Sequence, residues 1–244
     1  MAGSLSSEVL DPGAIAGLQV VVTGSSAGIG GAIARRLLAL GCVVHGFDVA
    51  PAAHAGENFH SVRVDLTDDA QLDASARACT QADALVHAAG VMRVGKLGAL
   101  DHGAGELMWR LHADAATRLA DALVPAMVER GRGRVVLVGS RVAQGMPGRG
   151  QYAATKAALI ALARSWAREV AAKGVTINVV SPAATATAML EDPARAATAP
   201  RIPPLGRLIE PAEIAEVVAF LLSPAAAAIT GQDIAVCGGA SLPP

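Results

Sequence analysis

The sequence predicts an α/β protein, a doubly wound, mostly parallel seven-stranded sheet of Rossmann-like type in a single domain. Three observations predict it. Short β-branched runs alternate with longer alanine- and leucine-rich stretches of helical period, the pattern of repeated βαβ units whose parallel sheet is covered on both faces. The first run leads straight into a glycine-rich turn and a helical segment. The 244 residues contain no linker-like stretch in the middle, and one such domain commonly fills that length.

Strands are expected at Gln19 to Thr23, Val43 to Asp48, Ser61 to Val64, Ala84 to Ala88, Arg134 to Gly139, Thr176 to Ser181 and Gln232 to Val236. Between them fall helices near Ile29 to Leu40, Ala70 to Thr80, Gly105 to Arg130, Tyr152 to Ala172 and Pro211 to Leu222. Pro211 suits a first helical turn, where a missing N–H costs nothing. Residues 1–17 read as a flexible lead-in and 18–244 as one dinucleotide-binding and catalytic domain. Within it, 183–208 is rich in Ala, Thr and Pro, has no clear period, and is long enough to form a substrate lid.

Composition excludes several classes. The net charge of −1, with Arg scattered among Asp and Glu, provides no basic stripe for nucleic acid. The longest uncharged runs are broken by Pro, Gly, Asn, Ser or Thr, so no membrane span is expected. The start lacks the basic and apolar blocks of a secretory signal, which makes a cytoplasmic location the expectation. Cys42, Cys79 and Cys237 are odd in number and widely spaced, as reduced thiols would be. The six histidines form no metal-ligand pair such as HExxH, and no metal is expected.

The chemistry begins at Thr23-Gly24-Ser25-Ser26-Ala27-Gly28-Ile29-Gly30, where a strand end, a glycine turn and a helix start coincide. Glycines let the backbone approach a pyrophosphate, which the N–H groups at the positive helix end then hold. Asp48 ends the second strand, about twenty positions beyond Gly28, where a carboxylate can accept both adenosine-ribose hydroxyls. An added phosphate on that ribose would face the carboxylate, so NAD is favoured over NADP. Asp48 could also simply cap a turn at Pro51.

Tyr152 is the single tyrosine, and Lys156 is one of three lysines. At i, i+4 their side chains lie on one helix face. A phenol ionises near pH 10, and a neighbouring ammonium favours the phenolate, which makes a general base usable near neutrality. Ser140 lies just past the fifth strand, at the carboxyl edge where such sheets bind ligands; a turn residue could stand there too.

Taken together, these motifs resemble the classical short-chain dehydrogenase/reductase family, from about Leu18 to Ser241. Thr23 to Gly30 matches its TGxxxGIG loop, Asp65-Leu66 its adenine-side position, and Ser140, Tyr152 and Lys156 its Ser and YxxxK set. The resemblance implies cofactor contacts at Gly24, Ser26, Gly28, Ile29, Gly30, Asp65, Leu66, Ala88 and Gly90. Thr185 and Thr187 fall where the family meets the nicotinamide carboxamide and a nearby phosphate. It further implies that Ser140 holds the substrate oxygen, Tyr152 exchanges its proton, and Lys156 binds the nicotinamide ribose. A homotetramer, built on the helices near Gly105 to Arg130 and Tyr152 to Ala172, is implied as well.

Four positions depart from the family pattern. His87-Ala88-Ala89-Gly90 stands for Asn-Asn-Ala-Gly, Ala183 for a glycine, Cys237 for an aspartate, and His112 for the asparagine that is the fourth catalytic residue. An unperturbed His112 would protonate near pH 6.5 beside Lys156 and oppose its charge. It could equally just fill space. The expected activity is an NAD-dependent hydride transfer with a small secondary alcohol or ketone. The alternative is a catalytically weak dinucleotide-binding regulator or scaffold on the same fold. Sugars, polyols, hydroxy acids, cyclic alcohols and oxoacyl compounds all remain open as substrates. Arg141 and Arg93 are better placed than Arg149 to clamp a carboxylate, since they follow strand-end motifs directly.

Overall fold

The computed structural model describes residues 12–191 and 201–242. Its strands are β1 Gln19–Thr23, β2 Val43–Asp48, β3 Phe59–Arg63, β4 Ala84–His87, β5 Gly133–Val138, β6 Val175–Pro182 and β7 Asp233–Val236. They pair in the order β3-β2-β1-β4-β5-β6-β7, every pair parallel. Strand order reverses between β1 and β4, which opens a crevice at their carboxyl ends. β3 begins earlier than its polar sequence suggests, because Phe59 is buried and pairs with Val44.

The helices are α1 Gly28–Ala39, α2 Asp69–Ala78, α3 His102–Trp109, α4 Ala115–Glu129, α5 Gly150–Val170, the single turn α6 Ala188–Glu191, and α7 Pro211–Leu222. The one helix expected over Gly105 to Arg130 is α3 and α4 joined by a π turn at Arg110–Asp114. It starts at His102 because the Asp101 carboxylate accepts the Ala104 N–H at 3.0 Å and caps the first turn. Pro211 opens α7 inside a Glu210–Glu213 capping box.

Successive strand residues face opposite sides. Val21, Leu85, Leu137 and Val179 pack with Leu119, Leu123 and Leu159 beneath α4 and α5. Val20, Val22, Val86 and Val180 pack with Ile33, Leu37, Ile214 and Val218 beneath α1 and α7. Each such side chain contributes about 1.5–3 kcal/mol on burial, so the strand ends that carry the site rest on a rigid base. Ile15, ahead of β1, joins the second cluster, and the Cys42 thiol donates to its carbonyl at 3.2 Å. Residues 1–11 and 192–200, parts of the expected lead-in and lid, lie outside the described residues. Among the described residues the three cysteines are free thiols, no helix is long and apolar enough to cross a membrane, and no cluster of His, Cys, Asp and Glu suits a metal.

Candidate active site

A cavity of about 890 Å³ runs along the carboxyl edge of the sheet. One end is made of backbone. Gly24 and Gly28 adopt φ of +68° and +55°, which L side chains disfavour. A Cβ on Gly30 would overlap the Gly24 carbonyl oxygen, and one on Gly24 would come within 2.9 Å of the Ala89 Cα. Ala27 caps α1 without a side-chain hydrogen bond, so the first helical N–H groups stay available on a wall formed by Ala27 to Gly30. That is the cradle a pyrophosphate needs. Asp48 lies on the same wall, its Oδ2 accepting the Ser26 N–H and its Oδ1 the Ala50 N–H, both at 2.9 Å. A carboxylate has about four acceptor sites, so capacity for ribose hydroxyls remains. Asp65, also on the wall, closes a turn by accepting from the Thr67 N–H and hydroxyl.

The other end carries the reactive side chains. Ser140 Oγ accepts the Val142 N–H at 3.2 Å, which leaves its own O–H to donate. Tyr152 and Lys156 project from the first turns of α5; Lys156 Nζ lies 5.9 Å from the Tyr152 ring centre and donates to the Val138 carbonyl at 2.8 Å. Burial pushes the lysine pKa down to about 7. Its charge is therefore dependent on anionic neighbours, a phenolate among them.

Two buried histidines tie the ends together, and their partners define their tautomers. The Thr23 hydroxyl accepts the Ala88 and Ala89 N–H groups at 3.0 Å, so its proton goes to His87 Nδ1. His87 Nε2–H then donates to the Leu111 carbonyl at 3.1 Å, in the helix that holds the π turn. His112 is the reverse: Nε2 accepts the Val91 N–H at 3.1 Å, so Nδ1–H donates to Thr155 Oγ1 at 2.8 Å. The Thr155 hydroxyl in turn donates to the Tyr152 carbonyl at 2.8 Å. Burial, then the Lys156 charge, lowers both histidines: His87 to about 3, His112 well below its ordinary range. The His112 ring is thus perturbed from a free imidazole: it is buried and both its nitrogens are engaged, so a further proton would have to displace the Val91 N–H.

Every residue expected at the site lines this cavity except Ser26 and His112. Ser26 serves through its N–H to Asp48, and His112 sits behind Gly90, where a Cβ would come within 2.9 Å of its Nε2. Arg141 and Arg149 are on the wall, while Arg93 is not. Sequence reasoning missed Arg201 on the wall and the polar partners Thr155 and Thr23 Oγ1. Neither Thr155 on its helix nor Thr23 at its strand end carries a local sign of such a role.

The fold and this wall together define an oxidoreductase that uses a nicotinamide dinucleotide. A family model described as Enoyl-(Acyl carrier protein) reductase matches residues 24–241. The 3-oxoacyl-[acyl-carrier-protein] reductase FabG of Vibrio harveyi is 37% identical over 233 residues, covering 90% of this chain and 95% of the relative. A solved short chain dehydrogenase/reductase family protein superposes with a TM-score of 0.86 at 35% identity, covering 93% and 98% of the two chains. A structure described as an NAD(P)-dependent gluconate 5-dehydrogenase from Beutenbergia cavernae, with NADP bound, gives 0.86 at 31% identity over 94% and 98%. The chain belongs to the classical short-chain dehydrogenase/reductase family.

Proposed function

We propose that the protein is an NAD(H)-dependent dehydrogenase of a small secondary alcohol and its ketone. The observation that carries the reading is the meeting of Ser140, Tyr152 and Lys156 on one cavity wall whose far end holds Asp48. When bound, the nicotinamide ring takes up or gives the hydride. In oxidation, Tyr152 as phenolate removes the hydroxyl proton, the Lys156 ammonium favours that phenolate, and the Ser140 O–H donates to the oxygen as it becomes a carbonyl. A scaffold has no use for an ammonium buried at 4% exposure against a neutral carbonyl, an arrangement that costs stability.

NAD over NADP rests on Asp48, held by two backbone N–H groups beside uncharged Ala27 and Val49. The described basic lining residues all belong to the β5–β7 half of the sheet, away from it. Titration of both cofactors should favour NAD by at least about tenfold, or about 1.4 kcal/mol, and Asp48→Ala should collapse that preference. Equal affinities in the wild type would reject the assignment. A homotetramer belongs to the same proposal and rests on family resemblance; Trp109, half exposed on α3, lies on a helix that the resemblance assigns to subunit contact.

A further inference from the structure

The Tyr152 ring packs in a small cluster with Met92, Met108, Val142 and Ala153, apolar side chains without a ring among them. Such contacts hold a phenol by volume and give it no particular direction. His112 is different. Its ring stands 5.6 Å from that of Tyr152, centre to centre, with the two planes at 87°, an edge-to-face arrangement of the kind that ring quadrupoles favour. Gly90 makes room for it, since a side chain there would press on both His112 Nε2 and Lys156 Nζ.

The imidazole is itself held at its root and at its tip. Its root lies in the π turn, next to Leu111, whose carbonyl takes the His87 Nε2–H at 3.1 Å. Its tip, Nε2, accepts the Val91 N–H at 3.1 Å, in the segment that follows β4. Nδ1–H then donates to Thr155 Oγ1 at 2.8 Å, and the Thr155 hydroxyl donates to the Tyr152 carbonyl at 2.8 Å. A helical threonine otherwise divides between two rotamers, and the His112 donor holds this one in the rotamer bonded to Tyr152. His112 and Thr155 thus clamp the first turn of α5, from which Tyr152 projects, to the segment after β4, while the same imidazole touches the phenol ring. Both are buried, at 0% and 2% exposure, and neither lines the cavity, so neither meets substrate or cofactor. With both ring nitrogens committed, His112 has no lone pair left to carry a proton.

We infer that His112 and Thr155 are positioning residues that fix the direction of the Tyr152 phenol toward the reacting oxygen, His112 acting as a strut and not as a proton carrier; this rests on the dehydrogenase reading above. Proton exchange between a phenol and an alcohol needs their oxygens about 2.6–3.2 Å apart, so a phenol free to swing spends less time in reach. Loosening it slows the chemical step and leaves the binding of alcohol and cofactor, which meet other residues, in place. Ser140 and Lys156 have anchors of their own that do not pass through Thr155: Ser140 Oγ accepts the Val142 N–H, and Lys156 donates to the Val138 carbonyl.

The test offers 2-butanol, cyclohexanol and 1-phenylethanol, with NAD and with NADP, to the full-length protein, and takes the pair turned over fastest as its probe. In Thr155→Val, which has nearly the same shape without the hydroxyl, the single-turnover rate of cofactor reduction should fall about 10- to 100-fold while KM for alcohol and cofactor stays within about twofold. Thr155→Ser keeps the hydroxyl and should restore most of that rate. A second measurement needs no turnover. Tyr152 is the only tyrosine, so protein grown on ring-labelled tyrosine gives NMR signals from this phenol alone. Those signals should move in Thr155→Val, which changes no side chain in the ring's own cluster, and return in Thr155→Ser. A rate kept in Thr155→Val, a loss that serine does not restore, or Tyr152 signals that coincide with the wild type would overturn the inference and leave the dehydrogenase standing. Absence of turnover for every alcohol with either cofactor would count against the dehydrogenase reading alone, and the Tyr152 signals then decide the orienting role by themselves. If Thr155→Val does not fold, Thr155→Ala, whose smaller side chain leaves space for a water beside His112 Nδ1, takes its place in both measurements.

Discussion

The cofactor end and the substrate end of the cavity are made of different material. The first is mostly backbone from short segments, Gly24 with Ala27 to Gly30, Asp65-Leu66 and Ala88 to Gly90, with Asp48 as its main polar side chain. The second is side chains from the segments that follow β5 and β6, Arg141, Arg149, Met146, Met189 and Arg201 among them. A backbone-made surface demands particular residue types, glycine above all, and tolerates few others. A side-chain-made surface is set by how distant loops converge, and can change its substrate without disturbing the cofactor.

If proton chemistry belongs to the substrate end alone, Tyr152→Phe should lower turnover by about 10²-fold or more while NADH binding at the other end persists. Steady-state kinetics and fluorescence titration measure the two separately. Matching losses in both would mean that the ends are not separable.

His112 lies at the joint, spanning from the Val91 N–H to the Thr155 hydroxyl. Asparagine is too short to reach both, so His112→Asn should leave a buried group unpaired and cost about 1–3 kcal/mol in unfolding experiments. Because the ring stays neutral, the pH profile of turnover between about pH 6 and 8 should keep its midpoint in the variant. A midpoint displaced toward acid would restore a titrating His112.

The two histidines should also make the stability of the fold sensitive to acid. An unfolded histidine takes up a proton below about pH 6.5, whereas His87 in the fold resists until about 3 and His112 is likewise lowered. The unfolded chain thus binds more protons, and stability drops as pH falls through that window, by about 1.4 kcal/mol per pH unit for each histidine. Urea unfolding from neutrality to about pH 5 should show a slope shallower by one histidine's share in His87→Asn. An unchanged slope would contradict the neutral, buried His87.

The smallest effect is expected at Arg93, whose Nη1 donates to the Met92 carbonyl and which does not line the cavity. Arg93→Ala should leave kcat/KM within about twofold, the range of a substitution outside the site. A larger change would show that the substrate end extends further than its wall.

By itself the sequence determined the alternation of strands and helices, the cofactor turn and the Tyr152–Lys156 pair. Each of these is local: β-branched runs, glycines needed for φ above zero, and a spacing of i, i+4 can be read within a few residues. Only the tertiary structure decided the tautomers of His87 and His112, the π turn between α3 and α4, and the placing of Arg149 but not Arg93 on the cavity wall. Thr23 meets His87 across 64 positions and His112 meets Thr155 across 43. A histidine's proton is placed by whichever donor or acceptor the fold brings to each nitrogen, and an arginine lines a cavity only if the chain around it turns inward. Neither condition leaves a mark in the residues nearby.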